Sequence, residues 1–293
     1  MKKMIYALGY FDGVHLGHKA LLTACRNLAE EHKCSAGAVT FLGHPEALVL
    51  GAAPGLINTP EDRKKLLLEQ FHMDSVVELS FDKALMETPW QDFLLFLLKN
   101  YDAAGFVCGT DFRFGKNGQG TAQLLSQFCR ENNLSCRLVE QQYLDGVRIS
   151  STHIRTLLES GSITQANRFL SHPHMLTGTV MSGKQLGRTI GVPTANISYP
   201  EELVKLPFGV YACKVQAEGK TYTALTNVGV RPTVSGAGVT VESHLLDFAG
   251  DLYGKCITVS FYDFIRPEQK FSDLAQLQAQ IEKDKACLAQ YYK

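Results

Sequence analysis

The stretch Gly9-Tyr10-Phe11-Asp12-Gly13-Val14-His15-Leu16-Gly17-His18 follows the first apolar run of the chain and opens its first helical pattern. An apolar run, a glycine-containing turn and a helical pattern in that order predict a strand–turn–helix unit. In a parallel sheet such a turn lies at the carboxyl edge, where α/β proteins bind ligands and where a helix N-terminus attracts phosphate. The fold and the chemistry of the first half are both built outward from this turn.

Short apolar runs and helical patterns alternate from the N-terminus to about residue 170. The predicted strands are Met4–Leu8, Ala36–Phe41, Val76–Leu79, Gly105–Cys108 and Cys136–Val139, and the predicted helices are Lys19–His32, Glu61–Phe71, Trp90–Leu98 and Ala122–Arg130. This alternation predicts an α/β domain with a parallel sheet covered on both faces. We assign it to residues 1–170.

The pattern changes after residue 170, where Ser171-His172-Pro173-His174 interrupts the helical periodicity. Strands separated by Gly, Pro and Asn follow, and the clearest are Gly209–Val215, Thr221–Asn227, Val239–Leu246 and Lys255–Phe264. Short strands with regular turn signals predict a small antiparallel β-barrel in residues 171–293. An amphipathic helix from Ser272 to Tyr291, with Leu274, Leu277, Ile281 and Leu288 on one side, is expected to end it.

Composition excludes several function classes. The 293 residues contain 29 Lys plus Arg and 29 Asp plus Glu, so no strongly basic face for nucleic acid is indicated. The eight cysteines have neither zinc-knuckle nor redox-pair spacing, which favours reduced thiols in a cytoplasmic protein. No run approaches the roughly 20 apolar residues of a membrane-spanning helix. We therefore expect a cytoplasmic protein that binds neither nucleic acid nor membrane, as a monomer or weak homo-oligomer.

The opening turn carries the groups that nucleotidyl transfer requires. Gly13 and Gly17 let the backbone approach an anion, and His15 and His18 are spaced to face one phosphate. This reaction needs in-line positioning and positive donors more than covalent help from the protein. His-x-x-His alone leaves structural and metal-binding alternatives about even, but the glycines and the strand–helix context favour phosphate.

His15-Leu16-Gly17-His18 after a first strand resembles the HxGH nucleotidyltransferase superfamily, and the longer stretch is similar to the FAD synthetase half of bacterial bifunctional riboflavin kinase/FAD synthetases. The resemblance implies a Rossmann-like domain with His15 and His18 as catalytic residues. It implies ATP and phosphate binding by Gly9, Phe11, Asp12, Gly17, Ser151, Thr152 and Arg155, and flavin binding by Asp111, Phe112, Arg113 and Phe114. Thr40-Phe41-Leu42-Gly43-His44-Pro45 would line the nucleotide site. By itself, Ser150–Arg155 is as easily a plain helix cap.

In the second half, the glycine-dense segment Gly178–Asn196 lacks the Gly-Lys-Ser/Thr of a Walker A loop and could be a plain hairpin. It resembles the riboflavin kinase loop with its Pro-Thr-Ala-Asn motif, and later segments, including Asn227–Thr233 and Phe264–Phe271, match in order. The resemblance implies phosphate binding by Gly178, Gly183, Lys184, Gly187, Arg188 and Gly191, magnesium positioning by Thr194 and Asn196, and Glu242 as general base. Arg266 and Glu268 are expected to shape the flavin loop or to pair with each other.

The implied function is phosphorylation of riboflavin to FMN with ATP in the C-terminal domain, then adenylylation of FMN to FAD with release of pyrophosphate in the N-terminal domain. ATP, riboflavin and FMN are the expected partners, Mg²⁺ the expected cofactor, and the flavins are substrates and products. Two alternatives stay open: a transferase with another acceptor, such as a cytidylyl- or nicotinate-mononucleotide transferase, and a non-catalytic flavin-nucleotide sensor.

Overall fold

The structure is a computed structural model that describes residues 3–43, 54–181, 191–233 and 236–291. The chain forms two compact units. Unit 1 contains residues 1–54 and 60–151, and unit 2 contains residues 55–59 and 152–293. Helix α6, at Ser151–Glu159, therefore begins at the last residue of unit 1.

Unit 1 is built on a five-stranded parallel sheet in the order β3-β2-β1-β4-β7. Its strands are β1 (Met4–Leu8), β2 (Ser35–Leu42), β3 (Ser75–Ser80), β4 (Ala103–Gly109) and β7 (Ser135–Val139). β1 is central and buried from Ile5 to Leu8, as expected for a parallel strand covered on both faces. The turn after β1 therefore lies at the centre of the carboxyl edge, beside the end of β4.

The helices of unit 1 are α1 (Leu16–Glu31), α2 (Pro60–Lys65), α3 (Lys83–Met86), α4 (Trp90–Tyr101) and α5 (Ala122–Glu131). The predicted helix Glu61–Phe71 is α2 continued by a π-helical turn, Leu66–Gln70. Two short hairpins have no counterpart in the sequence prediction: β5 (Arg113–Phe114) with β6 (Gly120–Thr121), and β8 (Tyr143–Leu144) with β9 (Val147–Arg148). Two-residue strands are too short to produce periodicity.

Unit 2 begins with the helices α6 and α7 (Ile163–Phe169) and continues as a six-stranded antiparallel sheet. The strand order is β10-β15-β12-β13-β14-β11. The strands are β10 (His174–Thr179), β11 (Ala195–Ser198), β12 (Gly209–Ala217), β13 (Lys220–Thr233), β14 (Gly236–Leu245) and β15 (Cys256–Pro267). A bridge between Met181 and Asn196, just after β10, nearly closes the sheet into the predicted barrel.

The C-terminal helix, α8 (Leu274–Cys287), is followed by a 3₁₀ turn at Leu288–Tyr291. Leu288 is fully buried against the barrel, but Leu274 is 62% exposed, so the predicted apolar side does not extend to the first turn. Asp284 instead is buried on this helix and forms a bidentate ion pair with Arg266 of β15, whose Nε donates to Oδ1 at 3.0 Å and whose Nη2 donates to Oδ2 at 2.7 Å. The expected pairing of Arg266 with Glu268 is therefore wrong, because the buried carboxylate of Asp284 binds the guanidinium.

Within the described residues, no helix is long and apolar enough to cross a membrane, and no group of three His, Cys, Asp or Glu side chains could hold a metal ion. The eight cysteines are free thiols.

Candidate active sites

His15 and His18 are held together at the start of α1. His15 is the N-cap, and its Nδ1 accepts a hydrogen bond from the backbone N–H of His18 at 3.3 Å. The two rings stack with centroids 3.7 Å apart and planes 12° apart. Burial lowers the pKa of His18 well below its ordinary value of 6.5, and the nearby charges of His15 and Arg63 lower it further. His18 is therefore neutral at physiological pH, with its buried Nδ1 unpartnered among the described residues.

The glycines of the turn are required by close contacts. A Cβ on Gly17 would lie 3.1 Å from both Cε1 and Nδ1 of His15, and a Cβ on Gly9 would lie 3.1 Å from Cζ of Phe11. Phe11 itself is fully buried with a positive φ of 56° and packs edge-to-face on His18. Phe11 therefore packs against His18 from the protein core, and it does not line the cavity that is described below. Asp12 is also buried, with 2% exposure.

The buried guanidinium of Arg63 holds the backbone of the turn by hydrogen bonds. Arg63 of α2 is 1% exposed and donates from Nη1 to the carbonyl of Tyr10 at 3.1 Å and from Nη2 to the carbonyl of Phe41 at 2.8 Å. The hydroxyl of Thr40 donates to the same Tyr10 carbonyl at 2.8 Å. The guanidinium also lies 5.1 Å from the centroid of the Tyr10 ring. Two elements distant in sequence therefore hold the Tyr10 peptide in place.

A cavity of about 240 Å³ opens beside the histidines at the carboxyl edge of the sheet. The turn, the end of β4 and the segment after β7 form its walls, together with the residues that precede α6. Among the glycines and polar residues of these walls are Gly9, Tyr10, His15, Gly17, His18, Gly109, Asp111, Glu140, Gln141, Gln142, Arg148, Ser150 and Ser151. Glycines, imidazoles and hydroxyls thus face one space.

Ser151 connects the start of α6 to the turn, because its hydroxyl donates to the carbonyl of Asp12 at 2.9 Å. Thr152 and Arg155 follow on the same helix, but neither belongs to the described wall of this cavity. The Nε of Arg155 donates to the carbonyl of Gly55 at 2.8 Å, within unit 2. Of the predicted helix-start group, the structure therefore brings Ser151 to the histidines.

A second, larger cavity of about 750 Å³ lies next to the first in unit 1. Its apolar wall consists of Tyr10, Phe41, Phe81, Leu85, Met86, Phe93 and Phe112, and Asp111 and Arg113 add charge. Phe114 lies in the core beneath it, stacked on Phe112 with centroids 5.4 Å apart. Tyr10, Asp111 and Phe112 line both cavities, so the two spaces adjoin.

Two ion pairs border these cavities. Arg148 of β9 pairs with Asp111 at 2.6 Å, and Lys116 pairs with Glu87 at 2.5 Å. The Lys116 pair joins the loop after β5 to the loop after α3, and it lowers the pKa of the Glu87 carboxyl. The side chains of both pairs are about half exposed, so each ion pair is expected to contribute only weakly to the stability of the segments that it joins.

In unit 2 the candidate general base lies in a polar row across three strands. Glu242 of β14 pairs in register with Asn196 of β11 on one side and with Asn227 of β13 on the other. Directly opposed residues of an antiparallel pair share one face, so the three side chains lie side by side. Glu242 is 7% exposed, so its carboxylate is held in the sheet and largely shielded from solvent. Asn227 also donates to Glu268 at 3.3 Å, so Glu268 joins the end of the row.

Thr194 and Asn196 are bound to each other beside this row. The Nδ2 of Asn196 donates to the carbonyl and to the hydroxyl oxygen of Thr194, both at 3.1 Å. The Oδ1 of Asn196 is buried and has no partner among the described residues. An orphaned amide oxygen next to a hydroxyl fits a hard divalent cation such as Mg²⁺. The donors present are therefore compatible with the predicted metal position.

A cavity of about 430 Å³ adjoins Thr194. Its other walls are Val180, Pro193, Ala195, Leu245 and the segment Phe248–Tyr253. Gly191 has a positive φ of 73° with open space around its Cβ position, whereas a Cβ on Gly178 would lie 3.1 Å from Ile197. Gly178 thus lets β10 approach β11. The other predicted kinase-loop residues, Gly183, Lys184, Gly187 and Arg188, lie outside the described residues, as do His44 and Pro45.

Family models match both halves of the chain: one for FAD synthetase over residues 1–153 and one for riboflavin kinase over residues 170–292. The bifunctional riboflavin kinase/FMN adenylyltransferase of Bacillus subtilis is 34% identical over 99% of this chain and 93% of its own. The chain belongs to the bifunctional riboflavin kinase/FMN adenylyltransferase family. The Escherichia coli K12 member is 36% identical, over 98% of this chain and 92% of its own.

A crystal structure described as a macrolide-efflux protein from Streptococcus pneumoniae is similar in fold, with a TM-score of 0.87 and 28% identity. The match covers 98% of this chain and 94% of that one. Family membership confirms the predicted fold class, with the transferase domain first and the kinase domain second.

Sequence reasoning missed several residues of both sites. Arg63 gave no signal, because an arginine in an Arg-Lys-Lys run on a short helix reads as a solvated charge. Phe81, Leu85 and Met86 belong to a segment without clear periodicity, and they reach the aromatic cavity only through the tertiary fold. The sequence likewise predicts no role for His244, whose Nδ1 lies 2.8 Å from the carbonyl oxygen of Pro193.

Proposed function

We propose that this family member makes FAD in two steps at the two sites described above. Riboflavin and ATP would react in residues 171–293 to give FMN, and FMN and ATP would react in residues 1–170 to give FAD and pyrophosphate. The observation that carries the transferase assignment is the pair of adjoining cavities in unit 1, one lined by His15 and His18 and the other by aromatic rings.

In the transferase half, the smaller cavity would take ATP with its phosphates against the opening turn. Gly9, Gly17 and the start of α1 would offer backbone N–H groups, while His15, His18 and Ser151 would contact phosphate oxygens. A bound phosphate would raise the pKa of His18 from its lowered value, and the protonated imidazole would stabilise charge that develops during transfer. Thr152 and Arg155, which the resemblance implies for the triphosphate, lie outside the described wall of this cavity, so their role stays a prediction.

The larger cavity would take the isoalloxazine ring of FMN against Phe41, Phe81, Phe93 and Phe112, because a flat aromatic ring system stacks well on such side chains. The FMN phosphate would then lie where the cavities share Tyr10, Asp111 and Phe112. One of its oxygens would attack the α-phosphorus of ATP in line, as the bond from the α-phosphorus to the pyrophosphate oxygen breaks. The protein forms no covalent bond in this step.

In the kinase half, the carboxylate of Glu242 would accept the proton of the ribityl 5′-hydroxyl as that oxygen attacks the γ-phosphorus and ADP leaves. ATP would lie in the cavity beside Thr194, with the segment Phe248–Tyr253 along its base. Thr194 and Asn196 would hold Mg²⁺, which when bound would neutralise charge on the transferred phosphates. Cytoplasmic location and a monomer or weak homo-oligomer also remain proposals.

The test is chromatographic separation of riboflavin, FMN and FAD after incubation with ATP and Mg²⁺. We expect the wild-type protein to convert riboflavin to FAD. His18→Ala should accumulate FMN, with adenylylation lowered by roughly 10²–10³-fold. Glu242→Ala should convert supplied FMN to FAD but leave riboflavin unreacted. Each variant is thus the folding control for the other.

Other outcomes separate the alternatives. If the wild-type protein transfers the cytidylyl group of CTP, or adenylylates nicotinate mononucleotide with ATP, but does not adenylylate FMN, the flavin assignment of the aromatic cavity is wrong. If both flavins bind without turnover, the chain is a flavin-nucleotide sensor.

A further inference from the structure

His244 connects the strand of the candidate base to the candidate metal loop. It lies two residues after Glu242 on β14, so both side chains are on the same face of the sheet. Its Nδ1 lies 2.8 Å from the carbonyl oxygen of Pro193. A carbonyl can only accept, so Nδ1 must carry the proton. His244 is 9% exposed, and its donor is directed at one backbone atom of the loop.

The bonded carbonyl belongs to a residue that precedes the ladder of β11. β11 begins at Ala195, and its ladder with β14 joins Ala195 to Ser243 and Asn196 to Glu242. Thr194 precedes the ladder, and Pro193 has no N–H to donate. The Asn196 amide holds Thr194 from the C-terminal side. The His244 bond to Pro193 holds it from the N-terminal side.

We propose that His244 is a positioning residue of the kinase reaction, which sets the place of Thr194 relative to Glu242 through the Pro193 carbonyl. This rests on the proposed kinase site. The strand β14 would then carry both the general base, Glu242, and the side chain that fixes the segment of Thr194. The distance between the base and the phosphate-binding residues would therefore stay constant. The imidazole acts as a neutral donor in this role, and burial favours that form by lowering its pKa.

Two substitutions separate the hydrogen bond from ring packing. His244→Phe keeps an aromatic ring but removes the donor, while His244→Asn keeps a donor near the Nδ1 position and removes most of the ring. His172→Phe is the matched control, because the Nδ1 of His172 lies 2.7 Å from the carbonyl of Pro173, outside the strands of the kinase site. Riboflavin phosphorylation and FMN adenylylation are measured on the same preparations. Riboflavin fluorescence titrated in the presence of MgADP reports binding without turnover.

We expect His244→Phe to lower the kcat of riboflavin phosphorylation by about 10–100-fold, the range for groups that orient ligand-bearing residues. MgADP-dependent riboflavin binding should weaken in parallel, and FMN adenylylation should stay at the wild-type level. His244→Asn should recover most of the lost kcat, and His172→Phe should leave it unchanged.

Wild-type kinase activity in His244→Phe would overturn the proposal, as would a His244→Asn variant no better than His244→Phe. A wild-type chain that does not phosphorylate riboflavin would refute the kinase site itself, and the role of His244 with it.

Discussion

In the transferase half, most groups proposed to hold phosphate lie on a single turn between β1 and α1. In the kinase half the candidate base and its polar neighbours come from β11, β13 and β14, which are adjacent in the sheet but separated by many residues in sequence. The turn obtains its geometry from backbone conformation, from glycines and from buried groups beneath it. The polar row obtains its geometry from strand register.

This difference predicts different sensitivities. A turn that depends on close contacts should lose activity when one atom is added, because the histidines have no alternative position. The polar row of the kinase half should tolerate an added methyl group better than the turn does, because the hydrogen bonds between neighbouring strands keep each strand in place. Matched substitutions in the two halves test this contrast.

Gly17→Ala should have the largest effect. The added methyl would lie 3.1 Å from the His15 ring, so the ring must move and weaken its bond to the His18 N–H. The ring needs to move by a few tenths of an ångström, so we expect FMN adenylylation to fall by more than about tenfold but by less than the roughly 10²-fold cost of a 1 Å misplacement, with riboflavin phosphorylation unchanged. Steady-state assays of both reactions on one preparation provide the measurement.

Gly178→Ala is the matched variant in the kinase half, because its methyl would also lie 3.1 Å from a neighbour, Cβ of Ile197. We expect a loss of kinase activity smaller than tenfold and no change in adenylylation. If the kinase loss equals the transferase loss in Gly17→Ala, register does not protect the row and the contrast fails.

Arg63→Met should have the next largest effect. It removes the donors to the carbonyls of Tyr10 and Phe41 and leaves both buried acceptors with fewer partners. We expect unit 1 to lose about 3 kcal/mol of unfolding free energy, measured by urea denaturation, and FMN adenylylation to decrease with it.

The control for Arg63 is Arg137→Met, which removes an exposed ion pair with Glu31 and should cost less than about 1 kcal/mol. Equal losses in the two variants would show that the buried guanidinium has no special role under the turn.

The same contrast explains what the sequence could predict. The turn is contiguous, so its strand, glycines and histidines are visible together, and the parallel sheet follows from the alternation around it. Register is not visible, so the alignment of Asn196, Glu242 and Asn227 could not be derived from spacing, and the separate roles of Asn196 and Glu242 depended on resemblance. Arg63 and His244 each donate a hydrogen bond to a backbone carbonyl that is distant in sequence. Every residue has a backbone carbonyl, so the amino-acid sequence does not show which one a side chain will bind.

Buried histidines extend the comparison to pH. His18 lies at a cavity where phosphate can raise its pKa, whereas His174 of unit 2 is 1% exposed with its Nδ1 unpartnered among the described residues. Burial lowers the pKa of His174 to about 3. Below about pH 6.5 the unfolded chain binds a proton at His174 that the folded chain does not bind. The contribution of His174 to the free energy of unfolding should therefore be constant above that pH and should fall as the pH decreases towards 3.

Between pH 7 and pH 5.5 this one group should cost about 1.3 kcal/mol of unfolding free energy. His174→Phe, which keeps a ring against Phe261, should remove that part of the slope. The Tm of wild type and variant, followed from pH 5.5 to 8 without nucleotide, checks this, and the two curves should run parallel above pH 7. Curves that stay parallel down to pH 5.5 would mean that His174 takes up its proton in the folded state. The buried His174 and the cavity residue His18 would then differ in position but not in their ability to be protonated.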